Sequence, residues 1–266
     1  MTPRFPADAR LSFPDRTAEE GAQKPVEDPR RWALFLDIDG TLIDVAPTPE
    51  AVSVPPDLPR LLSDLQAALG GALALITGRE VAAADTLLRP GQFTVAGVHG
   101  VEMRRSPEAS IKHLVQEVPL ELLEAVREVA SRSPVIFVEN KRSGLAVHYR
   151  LAPAAKEEIE RGLRRLLETW SRYELRYGRM VLEVVPRGFS KATAVDAFMQ
   201  MAPFKSRVPV AIGDDWGDEC ALAKARQLGG LGLSVAGEHF DAPSADFQGP
   251  AAVREWLGQL VATLRA

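Results

Sequence analysis

Asp37 and Asp39 stand one residue apart in "LFLDIDGTL" (34–42), at the end of an apolar run and beside Gly40 and Thr41. Further along come Thr77 with Gly78 and Arg79, then Lys191, then the acidic group Asp214, Asp215 and Asp218. Carboxylates gathered in one crevice repel and raise each other's pKa, so a divalent cation is the economical partner for them. Oxygen ligands favour Mg²⁺, which takes one or two carboxylates, keeps several waters and leaves room for phosphate oxygens. Asp37, Asp39 and Asp214 are the candidate ligands. A hydroxyl at Thr77 and a cation at Lys191 are the complement that holds phosphoryl oxygens while charge spreads over them. Hydrolysis of a phosphate monoester faces a barrier that enzymes lower by up to about 10²¹-fold, and a covalent aspartyl phosphate splits it into two easier steps. In that chemistry Asp37 attacks, while Asp39 protonates the leaving oxygen and then deprotonates the incoming water.

Such groups must be delivered to one place by the elements that carry them. "WALFLDI" (32–38) has no polar alternation and reads as a strand buried on both faces, as in a parallel sheet. A helical pattern over 57–70 stops at Gly70 and Gly71, and "ALALITGR" (72–79) is a second buried strand. A helix over 80–88 and a strand over 93–100 continue the alternation, which predicts a doubly wound, Rossmann-like α/β sheet. In such sheets the active crevice lies beyond the carboxyl ends of the strands, where the acids and Thr77 fall.

The pattern changes from about 107. A helix (119–133), a hairpin of "PVIFVEN" and "GLAVHYRL" with Lys141, Arg142 and Ser143 at its tip, a charged helix (152–170) and a second hairpin around Gly178 and Arg179 make an α+β insert. After Gly188 the first pattern returns: helix 191–201, strand 207–215, helix 218–229, strand 229–237 and a closing amphipathic helix 251–266, whose apolar stripe is expected on the sheet. The expected domains are a core of 31–106 and 188–266, an inserted cap of 107–187, and a flexible, proline-bearing extension over 1–30.

Of 266 residues, 46% are hydrophobic, enough for a sizeable core. A net charge of -4 with scattered Lys and Arg gives no footprint for nucleic acid. No apolar run approaches the ~18 residues of a membrane span, and the lone Cys220 fits a reducing, cytoplasmic location. The partner this leaves is a small molecule; the oligomeric state stays open, a monomer being compatible.

Several residues carry two readings. Arg79 is either an ion-pair partner or a phosphate ligand. Asp218 is a metal ligand, a supporting group or the N-cap of the helix that follows. Trp216 either stacks on a sugar or packs beneath that helix. His99 and His148 read as structural, with His99 and Gly100 near the substrate entrance.

The order of these motifs resembles the haloacid dehalogenase superfamily of phosphatases. Its four motifs stand here as Asp37 through Thr41, Thr77, Lys191, and Gly213 through Asp218. An insert between the second and third motifs resembles its C2 cap. Within that superfamily, "LDIDGTLIDVAPTPEAV", "LITGR", "AGVHGVEMR", "VENKRSGLAVHYR", "LEVVPRGFSKATAV" and "GDDWGDE" are similar to trehalose 6-phosphate phosphatases. That resemblance implies a Mg²⁺-dependent hydrolysis of trehalose 6-phosphate to trehalose and phosphate in trehalose biosynthesis. It also implies substrate contacts from Gly78, Arg79, Asp215 and the cap residues Glu139, Lys141 and Glu183. Independently, Glu183 interrupts an apolar strand face shared with Val181 and Val185, and a cluster of sugar hydroxyls would satisfy it. The chain departs from the pattern at Gly217, where Thr is frequent, and at "FSKATAV", where a Lys-Gly pair is usual. Another sugar phosphatase, for sucrose phosphate or a glycosyl-glycerate phosphate, is the alternative; a receiver-like module or a noncatalytic carbohydrate-binding protein fits the acid pair less well.

Overall fold

A computed structural model describes residues 28–46, 51–131, 133–178, 180–237 and 239–266. Residues 1–27 of the expected extension, 47–50 of the quoted 36–52 segment, and Arg179 of the second hairpin lie outside the described residues. Pro29 and Arg30, at the end of that extension, belong to a 3-10 turn capped by Asp28.

The chain opens with β1 (Trp32–Leu36), all five residues buried, followed by α1 (Leu58–Ala68), β2 (Leu73–Ile76), α2 (Val81–Leu87) and β3 (Thr94–Gly97). After β3 a turn reverses the chain into the short hairpin β4 (Glu102–Arg104) and β5 (Lys112–His113). A second unit follows: α3 (Leu120–Ala130), β6 (Phe137–Asn140), β7 (Leu145–His148), α4 (Lys156–Leu167), β8 (Tyr173–Gly178) and β9 (Val181–Pro186). The first unit then resumes with α5 (Lys191–Met199), β10 (Val208–Gly213), α6 (Trp216–Gln227), β11 (Leu231–Ser234) and α7 (Pro250–Arg265).

The first unit is a seven-stranded sheet in the order β11-β10-β1-β2-β3-β4-β5. Its first five strands are parallel and the last two antiparallel, so the doubly wound α/β reading holds with a hairpin added at one edge. That hairpin moves a boundary. The sheet continues through His113, whereas the change of pattern places the insert from 107; two residues of pairing were too short to register as a strand. The closing helix behaves as its stripe predicts: Val253, Trp256, Leu257, Leu260 and Leu264 are buried, and Trp256 stacks on Trp32 of β1 with centroids 5.9 Å apart. Phe35, Phe198 and Phe204 fill the other side.

The second unit, the lid, is an antiparallel sheet in the order β6-β7-β9-β8. Alternation along β9 sorts its residues. Leu182 and Val184 join Leu145 and Val147 under α3 and α4, in a hydrophobic cluster separate from that of the first unit. Glu183 therefore takes the opposite face. Register aligns Glu139, Ala146, Glu183 and Arg176 across the four strands, and the small Ala146 leaves space between the two carboxylates. Among the described residues no helix is long and apolar enough to cross a membrane.

Candidate active site

β1 and β10 lie side by side, and Asp37 and Asp214 follow their carboxyl ends. Asp37 N donates to Ile212 O at 3.1 Å, which ties the two strand ends together. α5 begins at Lys191, its N-cap Ser190 forming a reciprocal capping box with Thr193. The helix start therefore fixes where the lysine enters the crevice. Lys191 Nζ donates to Asp37 Oδ1 and to Asp218 Oδ1, both at 2.7 Å, with all three side chains buried.

Two glycines make this packing possible. Gly40 has φ +89°, and a Cβ there would lie 2.1 Å from Asp214 Oδ2. A Cβ at Gly213 would lie 2.2 Å from Asp218 Cγ. Thr41 Oγ1 donates to Asp214 Oδ1 at 3.2 Å. α6 starts two residues before its expected position: Asp215, not Asp218, is the N-cap, and Asp218 is the third helical residue, completing a capping box. The side chain of Asp215 is consequently engaged with its own helix, accepting from Asp218 N at 3.1 Å, although Asp215 also lines the cavity.

Four acids surround one lysine, and the electrostatics follow. Burial, with Lys191 working against it, leaves Asp37 raised above the ordinary carboxylate range. Burial, then the charges of Asp37 and Asp215, push Asp214 up to about 8. Burial and Asp37 drive Asp218 well upward. Asp215 is lowered instead, because Lys191 and its bond with Asp218 outweigh burial. Lys191 is raised well above its usual value: Asp218 and Asp37 overcome the burial that would depress it.

Such a site suits a divalent cation. Ligand oxygens of Asp37, Asp214 and Asp218 lie within 4.8 Å of one another, and an all-oxygen set matches Mg²⁺. Asp39, expected among the ligands, is not in this group. Its carboxylate is taken by Arg79, Nε to Oδ2 and Nη2 to Oδ1, each at 2.6 Å. Asp218, one of whose readings is a metal ligand, belongs to the group instead, its approach allowed by Gly213 lacking a side chain. Arg79 N also donates to Thr77 Oγ1 at 3.1 Å, so Thr77, Arg79 and Asp39 form one linked rim.

A cavity of about 650 Å³ joins these groups to the lid, within the range of small-molecule sites. The structure brings together around it the residues singled out from sequence: Asp37, Asp39, Thr77, Gly78, Arg79, Glu139, Lys141, Glu183, Lys191, Asp214 and Asp215. From the lid, Glu183 Oε1 accepts from Lys141 Nζ at 2.7 Å. Despite burial, His99 and Lys141 hold the Glu183 carboxyl well below its usual range. Lys141 is raised, Glu183 and Glu139 outweighing burial. Glu139 Oε2 lies 2.8 Å from His148 Nε2. Both histidines read as structural partner the lid acids and line the cavity, His99 having been expected near the substrate entrance. Trp216 is 61% exposed, lies tilted against His239 with centroids 3.8 Å apart, and faces a neighbouring cavity rather than this one.

The same arrangement of core and lid occurs in known proteins. The C-terminal domain of the Candida albicans trehalose-6-phosphate phosphatase superposes with a TM-score of 0.74 at 20% identity, covering 88% of this chain and 92% of that one. A haloalkanoate (HAD) superfamily phosphatase from Bacteroides thetaiotaomicron gives 0.58 at 19% identity, covering 89% and 98%. In sequence, a probable trehalose-phosphate phosphatase of Sinorhizobium fredii is 43% identical over 77% of each chain. The trehalose-6-phosphate phosphatase of Escherichia coli is 36% identical over 88% of each. The family described as trehalose-phosphatase matches residues 35–254. With a family match spanning core and lid alike, this chain belongs to the trehalose-phosphatase family.

Proposed function

We propose that this protein hydrolyses trehalose 6-phosphate to trehalose and phosphate, as a step of trehalose biosynthesis. The observation that carries the reading is one cavity with two chemistries: Asp37 and Lys191 paired at 2.7 Å on its floor, and the hydrogen-bonding row of Glu139, Lys141 and Glu183 on its roof. The floor suits a phosphoryl group and the roof a polyhydroxylated leaving group.

In this mechanism Asp37 attacks phosphorus and forms an aspartyl phosphate. Lys191 and Thr77 hold the phosphoryl oxygens as charge develops on them. Asp39, oriented by Arg79, gives a proton to the leaving sugar oxygen and takes one from the water that then cleaves the acyl phosphate. Asp37, Asp214 and Asp218 would hold Mg²⁺, which when bound supplies charge neutralisation at the phosphoryl group. Gly78 keeps the approach open; Glu139, Lys141, Glu183 and Asp215 are the sugar contacts. The core, from 31 through the β4–β5 hairpin and again over 188–266, carries the chemistry and the insert closes over it, excluding water. A sugar phosphate is the only partner this reaction needs, and the lone Cys220 suits a cytoplasmic setting.

The test is phosphate release from trehalose 6-phosphate beside sucrose, glucose and glycerol phosphates, with and without Mg²⁺, with Asp37→Asn as blank. Preference for the trehalose ester, lost with EDTA and in the variant, is the expected result. Preference for another ester would overturn the substrate and retain the chemistry.

A further inference from the structure

His99 takes no part in the chemistry above, yet it sits at an unusual point in the chain. Val98 and His99 both adopt left-handed backbone conformations, with φ 47° and 55°. For a β-branched valine that region is costly, and such strain persists only where the surroundings over-determine it. Two backbone bonds do so here. Val98 N donates to Arg79 O at 2.9 Å, and His99 N to Thr77 O at 3.0 Å. The strained pair is thereby pinned to the loop that carries Thr77 and Arg79.

The imidazole is aimed across the cavity into the lid. His99 Nε2 lies 2.6 Å from Glu183 Oε2, with both side chains buried. An ionised carboxylate can only accept, so Nε2 carries the hydrogen. The other Glu183 oxygen is already taken by Lys141. Gly78 leaves room for this contact: a Cβ there would lie 3.1 Å from both Cε1 and Nε2 of His99 and 3.8 Å from Glu183 Oε1.

We propose that His99 is a positioning residue that fixes the Glu183 carboxylate, and through it Lys141, in the orientation that meets the hydroxyls of a bound sugar phosphate. It couples the Thr77 loop of the core to the sugar-facing row of the lid, and it rests on the sugar-phosphatase reading above. Charge-assisted bonds from two sides hold the carboxylate lone pairs in fixed directions. Without the imidazole, one oxygen of a buried carboxylate loses its partner and its orientation.

The test compares kcat/KM for the preferred sugar phosphate with that for p-nitrophenyl phosphate, which offers Glu183 no hydroxyl. In the full chain, His99→Ala should lower this ratio by ~10- to 100-fold, mainly through KM, with p-nitrophenyl phosphate turnover unchanged within about twofold. His99→Gln, which keeps an N–H to donate, should recover most of the ratio. In a Glu183→Gln background, His99→Ala should cost little more. Equal losses on both esters, an unchanged ratio, or fully additive losses with Glu183→Gln would each overturn the role of His99. The wild-type protein is assayed on trehalose, sucrose, glucose and glycerol phosphates, and the ratio is taken with whichever it prefers. A different preferred ester therefore overturns the substrate alone, while no hydrolysis of any ester overturns both.

Discussion

Arg79 holds Asp39 through a two-pronged ion pair, Nε to Oδ2 and Nη2 to Oδ1, each 2.6 Å long. A guanidinium fork matches a carboxylate in this way and an ammonium does not. Arg79→Lys should therefore lower kcat by ~10-fold and Arg79→Ala by ~100-fold, within the range that a misplaced acid and base costs. Steady-state kinetics on trehalose 6-phosphate decides it; unchanged kcat in both variants would mean that Asp39 does not depend on Arg79 for its orientation.

The crowded acids make stability depend on pH. A carboxylate whose pKa rises on folding favours the folded state below its unfolded pKa and loses that advantage as pH climbs to the folded value. For Asp214 the window runs from 3.8 to about 8, and Asp37 and Asp218 shift the same way. Glu183 and Asp215 shift downward, so their contribution is complete above the ordinary carboxylate range. Lys191, shifted upward, loses its contribution only in alkaline solution. In EDTA the Tm should accordingly fall between pH 5 and 8, each ~1 kcal/mol appearing as about 2–4 °C. Asp214→Asn should flatten the slope, and Mg²⁺ should raise Tm more at pH 8 than at pH 5. A Tm in EDTA that is level or rising over this range contradicts the account.

Asp218 provides a separate check on the cation. Its oxygen belongs to the group formed with Asp37 and Asp214, and it shares Lys191 with Asp37. Asp218→Asn should raise the Mg²⁺ concentration for half-maximal activity by ~10- to 100-fold. A Mg²⁺ titration of phosphate release that superposes on wild type would remove Asp218 from the ligand set.

On the lid, Lys141 is buried and bonded to Glu183. Lys141→Ala should raise KM for trehalose 6-phosphate by ~10-fold or more with kcat little altered, since the ammonium faces the leaving group. A fall in kcat at constant KM would instead place it in the chemistry.

Much of the fold is legible in residue patterns. The uninterrupted apolar runs of β1, β2 and β10 announced a sheet covered on both faces, and the stripe of α7 announced where it packs. The β4–β5 hairpin was not legible, because a two-residue strand has no period to detect. In the site, Asp37, Lys191 and Asp214 could be read because strand ends and helix starts are visible in sequence. Which of the three readings of Asp218 holds, and that Asp39 turns to Arg79, could not, since these turn on the missing Cβ of Gly213 and on the reach of Arg79 across 40 residues. The histidine partners of Glu139 and Glu183 were hidden for a similar reason: each contact is set by register or by backbone strain, which residue type alone does not reveal.

The two hydrophobic clusters share no buried residue. The insert can thus turn on its two connecting segments while each cluster stays intact, and polar pairs such as His99 with Glu183 are among the contacts that part. Neither cluster need meet water in that motion, so opening should carry a smaller heat-capacity change than unfolding either unit. The enthalpy of opening should then stay nearly constant with temperature, so the logarithm of the open-to-shut ratio should run close to a straight line against reciprocal temperature.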